Sequence, residues 1–379
     1  MATIIKSLRA DMATVSVVET EQHRLLFSDD VVVGCEHRVD AVRDQACFAA
    51  MALMSTVAFL LPRPQHALCL GLGAGTVPSF LRMRGIHTDV VEYDAAVIRL
   101  AEQHFLFGIP TAASGGTVIH SDALRFVAQS VRVPERRYDV VLSDLWSGGN
   151  EGRALLRPFL EQVRSRVLAT NGTLAVNLLA FAEGPHAALA VNVVRTLCSV
   201  FDHVTSFVEY DLEEEAAAHA SAEATGGGGN AHAMSAPGDE PANLLLLASN
   251  SPIRLEPGSE ANSASEPGSM AHLFTHFQEW RPPRLQAAGL GLDGRVLETE
   301  RDWDELAAER RAVAAGMRVQ QRRLMPDAGW AMLEDLLHKE EEAPPRKIGR
   351  APPPAVVGER QHEAPPARQP RGGDKEELR

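Results

Sequence analysis

Three glycines and three acids in the middle of the chain have the types and spacing that could do chemistry. Gly71, Gly73 and Gly75 interrupt an apolar run, Ala67-Leu-Cys-Leu70, and a helical pattern follows that closes at Gly85. Glu92 ends the next apolar pair, Val90-Val91, 21 residues after Gly71. Strand, tight turn, helix, strand and acid in that order have the spacing of a nucleotide-binding βαβ unit. In such a unit glycines let the backbone approach the ligand closely and the acid accepts hydrogen bonds from ribose hydroxyls. Asp94 would share a strand face with Glu92, but at the strand end only Glu92 is placed to meet a ribose. Asp122 follows the third strand, where its carboxylate could accept from an adenine amino group or cap the helix over 123–131; the sequence leaves both open. Asp144 ends the strand Tyr138-Asp-Val-Val-Leu-Ser143 and faces the place where a reacting group would sit. Trp146, two residues on, either walls a substrate pocket or covers the core.

The elements that must position these residues alternate with some regularity. After the opening unit the pattern predicts helix 95–107, strand 117–120, helix 122–131, strand 138–143, helix 151–168, strand 173–178, helix 186–200 and strand 203–210. That order implies an α/β domain, a doubly wound parallel sheet with helices on both faces, whose ligand lies beyond the carboxyl ends of the strands. Residues 211–241 break the pattern with Glu, Ala, Gly and Ser and predict a disordered insertion. Strand character returns at Asn243-Leu-Leu-Leu-Leu-Ala248, so the last two strands are expected as an antiparallel hairpin at the sheet edge with an expanded turn. Seven strands result, the last antiparallel. Ahead of them, residues 13–33 predict one or two β-hairpins, and 43–61 a helix ended by Pro62 and Pro64. Behind them, 251–269 form a linker and 270–280 and 302–340 charged helices anchored by Trp280, Trp303 and Trp330. The tail 343–379 is Pro-, Arg- and Glu-rich and expected to be disordered. The organisation expected is 1–60, a hairpin region and helix; 61–250, the ligand-binding domain; 251–342, linker and helical extension; and 343–379, the tail.

Composition bounds the rest. A formal charge of −13 argues against general nucleic-acid binding, which needs clustered Lys and Arg. No apolar run reaches the length of a membrane span, and no secretory signal is evident, so a cytoplasmic chain is expected. The four cysteines, Cys35, Cys47, Cys69 and Cys198, lack paired ligand spacing and are expected to be buried reduced thiols. His272 and His276 would share a helical face, but the remaining ligands of a metal site are missing there, and no metal is expected.

On these residues the chain resembles the spermidine synthase-like branch of the S-adenosylmethionine-dependent transferases, which have a Rossmann-like class I methyltransferase fold. The resemblance covers about residues 15–248. It rests on LGLGAGTVPSFL for the glycine motif, VVEYD for the ribose acid, HSDAL for the adenine acid, YDVVLSDLWSGG for the fourth strand and its loop, and the long edge hairpin. It implies S-adenosylmethionine held by Gly71, Gly73, Gly75, Glu92, Asp122 and Asp144, with Asp144 the catalytic acid. Aminopropyltransferases of the family read Arg-Asp-Glu-Phe-x-Tyr-His/Gln-Glu-Met before the first core strand, where this chain reads Arg43-Asp-Gln-Ala-Cys-Phe48-Ala49-Ala50-Met51. Phe48 replaces the tyrosine of their amine site, and the second acid of their Asp-Ser-Ser-Asp-Pro loop is lost after Asp144. The resemblance therefore implies methyl transfer, to a protein or small-molecule acceptor, with Phe48 and Trp146 lining the substrate pocket. The alternatives are aminopropyl transfer from decarboxylated S-adenosylmethionine to a polyamine, and a non-catalytic relative that binds nucleotide or a partner. A dehydrogenase fits less well because of the antiparallel hairpin. No nucleic-acid or membrane partner is expected, and a homodimer is an assembly the family allows.

Overall fold

The computed structural model describes residues 2–9, 13–40, 43, 46–109, 115–130, 137–145, 151–209, 240–255, 277–279 and 294–342. Contacts gather Met1–Glu340 into one unit and Glu341–Arg379 into another.

The chain begins with a four-stranded antiparallel meander: β1 (Thr3–Arg9), β2 (Thr14–Glu19), β3 (His23–Ser28) and β4 (Val31–His37), in sequence order. The expected hairpins over 13–33 are the middle of this sheet. β1 was not evident in the sequence because, as an outer strand with mostly exposed or half-buried residues, it lacks an apolar alternation. The free edge of β4 is covered by the Gln321 amide, which donates to the Val32 carbonyl at 3.3 Å and accepts from the Val32 N–H at 3.1 Å. A side-chain amide here does what a further strand would do, satisfying backbone groups that an edge leaves open.

A second sheet runs β12-β10-β11-β9-β8-β5-β6-β7. Its parallel half comprises β5 (His66–Leu70), β6 (His87–Glu92), β7 (Val118–His120), β8 (Tyr138–Ser143) and β9 (Leu168–Ala180). β5 and β8 are buried along most of their length, as strands covered on both faces must be. Helices α2 (Thr76–Met83), α3 (Ala95–His104), α4 (Ala123–Gln129), α5 (Arg157–Gln162) and α6 (Ala188–Val200) connect them. β11 (Ala242–Ser249) is antiparallel to both β9 and β10 (His203–Glu209). The hairpin expected at the edge therefore forms, but β11 lies inside the sheet, which explains its unbroken Leu244–Leu247 run. Beyond β10 lies an eighth strand, β12 (Phe277–Glu279), antiparallel to it. This corrects the helix expected over 270–280: residues 277–279 are extended, because strand pairing overrides a local charged pattern, and the rest of that segment lies outside the described residues.

Two further expectations change. The helix over 43–61 is an α-helix only at α1 (Ala49–Ser55), and continues as a 3-10 turn over Thr56–Phe59. The helix over 151–168 is a 3-10 turn at Glu151–Leu155, then α5, then a π turn at Val163–Val167, and β9 starts at Leu168. A register shift between Tyr138 and Val140 accommodates the early residues of β9, which is why only its regular part was legible.

The C-terminal extension consists of α7 (Glu300–Asp304), α8 (Ala307–Arg322) and α9 (Asp327–Glu342). Thr299 and Asp302 form a capping box at the start of α7. Trp303, Leu306 and Val313 join the core under α5 and α6. Trp330 and Leu333 instead pack with Val18, Leu25, Phe27 and Val32 of the first sheet, Trp330 edge-on to Phe27 with ring centroids 5.5 Å apart. Trp303 and Trp330 are thus both buried anchors. Each contributes large apolar area, and an edge-to-face ring pair adds about 0.5–1.5 kcal/mol beyond it. Among the described residues no helix is long and apolar enough to cross a membrane.

Candidate functional site

The turn after β5 carries its three glycines in the left-handed region, with φ of 98° at Gly71, 54° at Gly73 and 79° at Gly75. Side chains other than hydrogen are disfavoured there. Space decides as well: a Cβ on Gly71 would stand 2.3 Å from the Asp144 carbonyl oxygen, and one on Gly73 2.4 Å from that of Val33. The glycine turn is therefore wedged between the end of β8 and strand β4. The wedge is tight from the other side too, since a Cβ on Gly34 would come within 2.3 Å of the Ala74 nitrogen. Thr76, at the start of α2, completes the joint by donating from its hydroxyl to the Cys35 carbonyl at 2.9 Å.

Glu92, at the carboxyl end of β6, is half-buried beside this turn. Its carboxylate accepts from the Leu72 N–H at 3.0 Å and from the Asp94 N–H at 2.8 Å. Burial pushes its pKa up, and these two amides oppose the rise. One backbone donor comes from the glycine turn itself, so the acid and the turn are fixed relative to each other. Asp94 is occupied differently: it caps α3, accepting from the Ala96 N–H at 2.7 Å. Asp122 caps α4, accepting from the Arg125 N–H at 2.8 Å. The capping reading of Asp122 is thus realised, with one oxygen so engaged.

Asp144 follows β8, its N–H bonded to the Leu70 carbonyl at 3.0 Å. Its side chain is exposed to solvent while protein crowds it, and that desolvation pushes its pKa above the ordinary 3.8. The opposing influence is Asn177 of β9, whose amide donates to the Asp144 carboxylate at 2.9 Å. The bond fixes the orientation of that amide: turned over, it would face oxygen to oxygen. Oδ1 of Asn177 is consequently left buried without a hydrogen-bond partner among the described residues. A buried carbonyl oxygen with no donor is costly, about 1–3 kcal/mol, and such an atom calls for an explanation. Asn177 had not been singled out from the sequence. The only signal was a polar residue inside the apolar strand Leu174-Ala-Val-Asn-Leu-Leu179.

The turn, Glu92, Asp122 and Asp144 all fall at the carboxyl ends of β5, β6, β7 and β8. Phe48 precedes α1 and packs beside the Trp330 cluster, against residues of the first sheet and α9. Trp146, His272, His276, Trp280, residues 211–239 of the insertion expected over 211–241, and the tail at 343–379 lie outside the described residues. A pocket of about 720 Å³ is lined by Leu53, Thr56, His203, Phe207, Leu245 and Ile253, among others, and by none of the turn glycines, Glu92, Asp122 or Asp144. Of the cysteines, Cys35 and Cys69 are buried as expected, Cys47 is partly so, and Cys198 is exposed, contrary to expectation, on the outer side of α6.

No family model matches the chain. It is 31% identical over 191 residues to an N-terminal histidine N-methyltransferase of Emericella nidulans, covering 47% of this chain and 33% of that protein. It is 28% identical over 184 residues to a polyamine aminopropyltransferase of Vibrio vulnificus, covering 46% and 59%. With the human eEF1A lysine and N-terminal methyltransferase it shares 29% over 163 residues, 40% and 22% of the two chains. The matches thus span about a third of the fungal relative and under two thirds of the bacterial one. Among solved structures, a probable spermidine synthase from Corynebacterium glutamicum superposes with a TM-score of 0.54 at 17% identity, over 78% of this chain and 97% of that one. This likeness supports the fold.

Proposed function

We propose, from the premise that this chain is kin to the spermidine synthase-like S-adenosylmethionine-dependent transferases, that it transfers a methyl group from S-adenosylmethionine to an amine on a protein. The observation that carries the reading is the Asp144–Asn177 pair set directly against the glycine turn. The two relatives named as methyltransferases support it, since one is named for N-methylation of an N-terminal histidine and the other for lysine and N-terminal methylation.

The residues present fit the donor. In this reading the turn at Gly71–Gly75 offers close backbone approach, Glu92 accepts from ribose hydroxyls, and the second oxygen of Asp122 remains for an adenine amino group. When bound, S-adenosylmethionine supplies an electrophilic methyl group on a sulfonium. The protein's task is alignment and proton management. The Asp144 carboxylate is the acceptor for an N–H bond of an incoming amine, and the Asn177 amide holds that carboxylate in place. Asp144, with its raised pKa, is the group that would take the proton the amine releases.

A second reading, aminopropyl transfer from decarboxylated S-adenosylmethionine, is favoured by the Vibrio relative. Against it stand Phe48, which carries no hydroxyl and packs in an apolar cluster, and the missing second acid after Asp144. Calorimetric titration with S-adenosylmethionine and, in parallel, with its decarboxylated form separates the two. Tighter binding of the intact donor, followed by labelled methyl transfer to lysine- or N-terminal-amine peptides, is expected. Preference for the decarboxylated donor would overturn the proposal, and binding of neither would leave a non-catalytic relative.

A further inference from the structure

The first sheet carries a cluster of soft ligands that the transfer reaction does not use. Across β3 and β4, His23 is the register partner of His37 and Leu25 that of Cys35. Since alternate residues of a strand face the same way, His23, Cys35 and His37 lie on one face of the sheet. Cys47, from the segment that leads into α1, comes over the same face. The ligand atoms of His23, Cys35 and Cys47 all lie within 4.8 Å of one another. In sequence the three are spread over 25 positions, which is why no ligand spacing was visible there.

We propose that His23, Cys35 and Cys47 form a binding site for a zinc ion, with one imidazole and two thiolates as ligands and the fourth tetrahedral position left to water. Nitrogen and thiolate donors in this mixture favour zinc over the hard cations that oxygen ligands select. Several features of the surroundings agree. Cys35 is fully buried and Cys47 and His23 are half-buried, so the site is sheltered but reachable. Burial, and then His37 with its ring centroid 5.0 Å away, push the His23 pKa down and favour the neutral imidazole that a metal needs. Burial, and then the neighbouring Cys47, push the Cys35 thiol up. Because a thiol binds zinc as the thiolate, binding forms one Zn–N and two Zn–S bonds with release of thiol protons to solvent, and affinity must rise with pH. The ion would tie the segment before α1 to the strand whose Gly34 and Cys35 touch the glycine turn.

The test uses the full chain, reduced and stripped of metal, titrated with cobalt(II) as a spectroscopic stand-in and then with zinc. One equivalent of cobalt should give the thiolate charge-transfer band and the intense visible bands of tetrahedral coordination, both displaced by zinc. Cys47→Ser and His23→Gln should each weaken binding at least ten-fold, while Cys69→Ser and Cys198→Ser should leave it unchanged. In the unmutated protein, zinc should protect two thiols from alkylation, which keeps the test valid even where a variant fails to fold. Absence of the cobalt bands, binding indifferent to Cys47, or a Cys35–Cys47 disulfide that persists in the freshly reduced protein would each overturn the proposal.

Discussion

Replacing Asn177 by Ala separates a residue kept for binding from one kept for stability. The substitution removes a hydrogen bond to a carboxylate, which is worth about 1.5–3 kcal/mol. It also removes the buried, partnerless Oδ1, whose desolvation costs about 1–3 kcal/mol. Because Asp144 is exposed, water can take the place of the lost donor. The two contributions oppose, and the fold should change in stability by no more than about 2 kcal/mol. Methyl transfer should fall by about ten- to a hundred-fold, the loss of about 1.4–2.7 kcal/mol of positioning. The pH dependence is a further readout. A carboxyl whose folded-state pKa is raised contributes stability that is full below its unfolded value and is lost as pH rises through the folded one. For Asp144 that window opens above 3.8. Removing Asn177, which holds the pKa down, extends the window upward, and the basic form of Asp144 should appear at higher pH in the rate profile. Thermal melts across a pH series and single-turnover transfer rates measure both. A large stability loss with an unchanged rate, or a rate profile that does not move, would refute the argument.

Glu92→Ala should abolish measurable donor binding by calorimetry and lower stability by about 1–3 kcal/mol, because it strands the Leu72 and Asp94 N–H groups. Asp122→Ala should cost about 1 kcal/mol as a lost helix cap; a simultaneous drop in donor affinity, read in the same titration, would assign its second oxygen to the adenine. Gly34→Ala drives a methyl group against the Ala74 backbone and should destabilise the fold by about 1–3 kcal/mol in chemical denaturation, with donor affinity falling alongside because the glycine turn must shift.

What was legible in the sequence is what local chemistry determines. The glycine turn and Glu92 follow from a few adjacent residues and lie at the strand ends where the pattern predicts them, and capping was one of the two roles left open for Asp122; the cap formed by Asp94 was not read from the sequence. The alternation that gave the parallel strands is equally local. Features built from distant partners were not visible. Asn177 acquires its meaning from Asp144, 33 residues away, and His23, Cys35 and Cys47 from a register that only the folded meander sets. β12 belongs to the same class, since three residues of strand are defined by the neighbour they pair with. Phe48 was assigned to a substrate pocket from an alignment of motifs; what only the fold shows is that it packs, partly buried, beside the Trp330 cluster.

The pairing of β10 with β11 has a practical consequence for handling the molecule. Val208 lies opposite Leu244, so the end of β10 and the start of β11 stand one strand spacing apart. A protein of this topology can be opened there to create new termini, or carry a reporter, with the strand order of its central sheet intact.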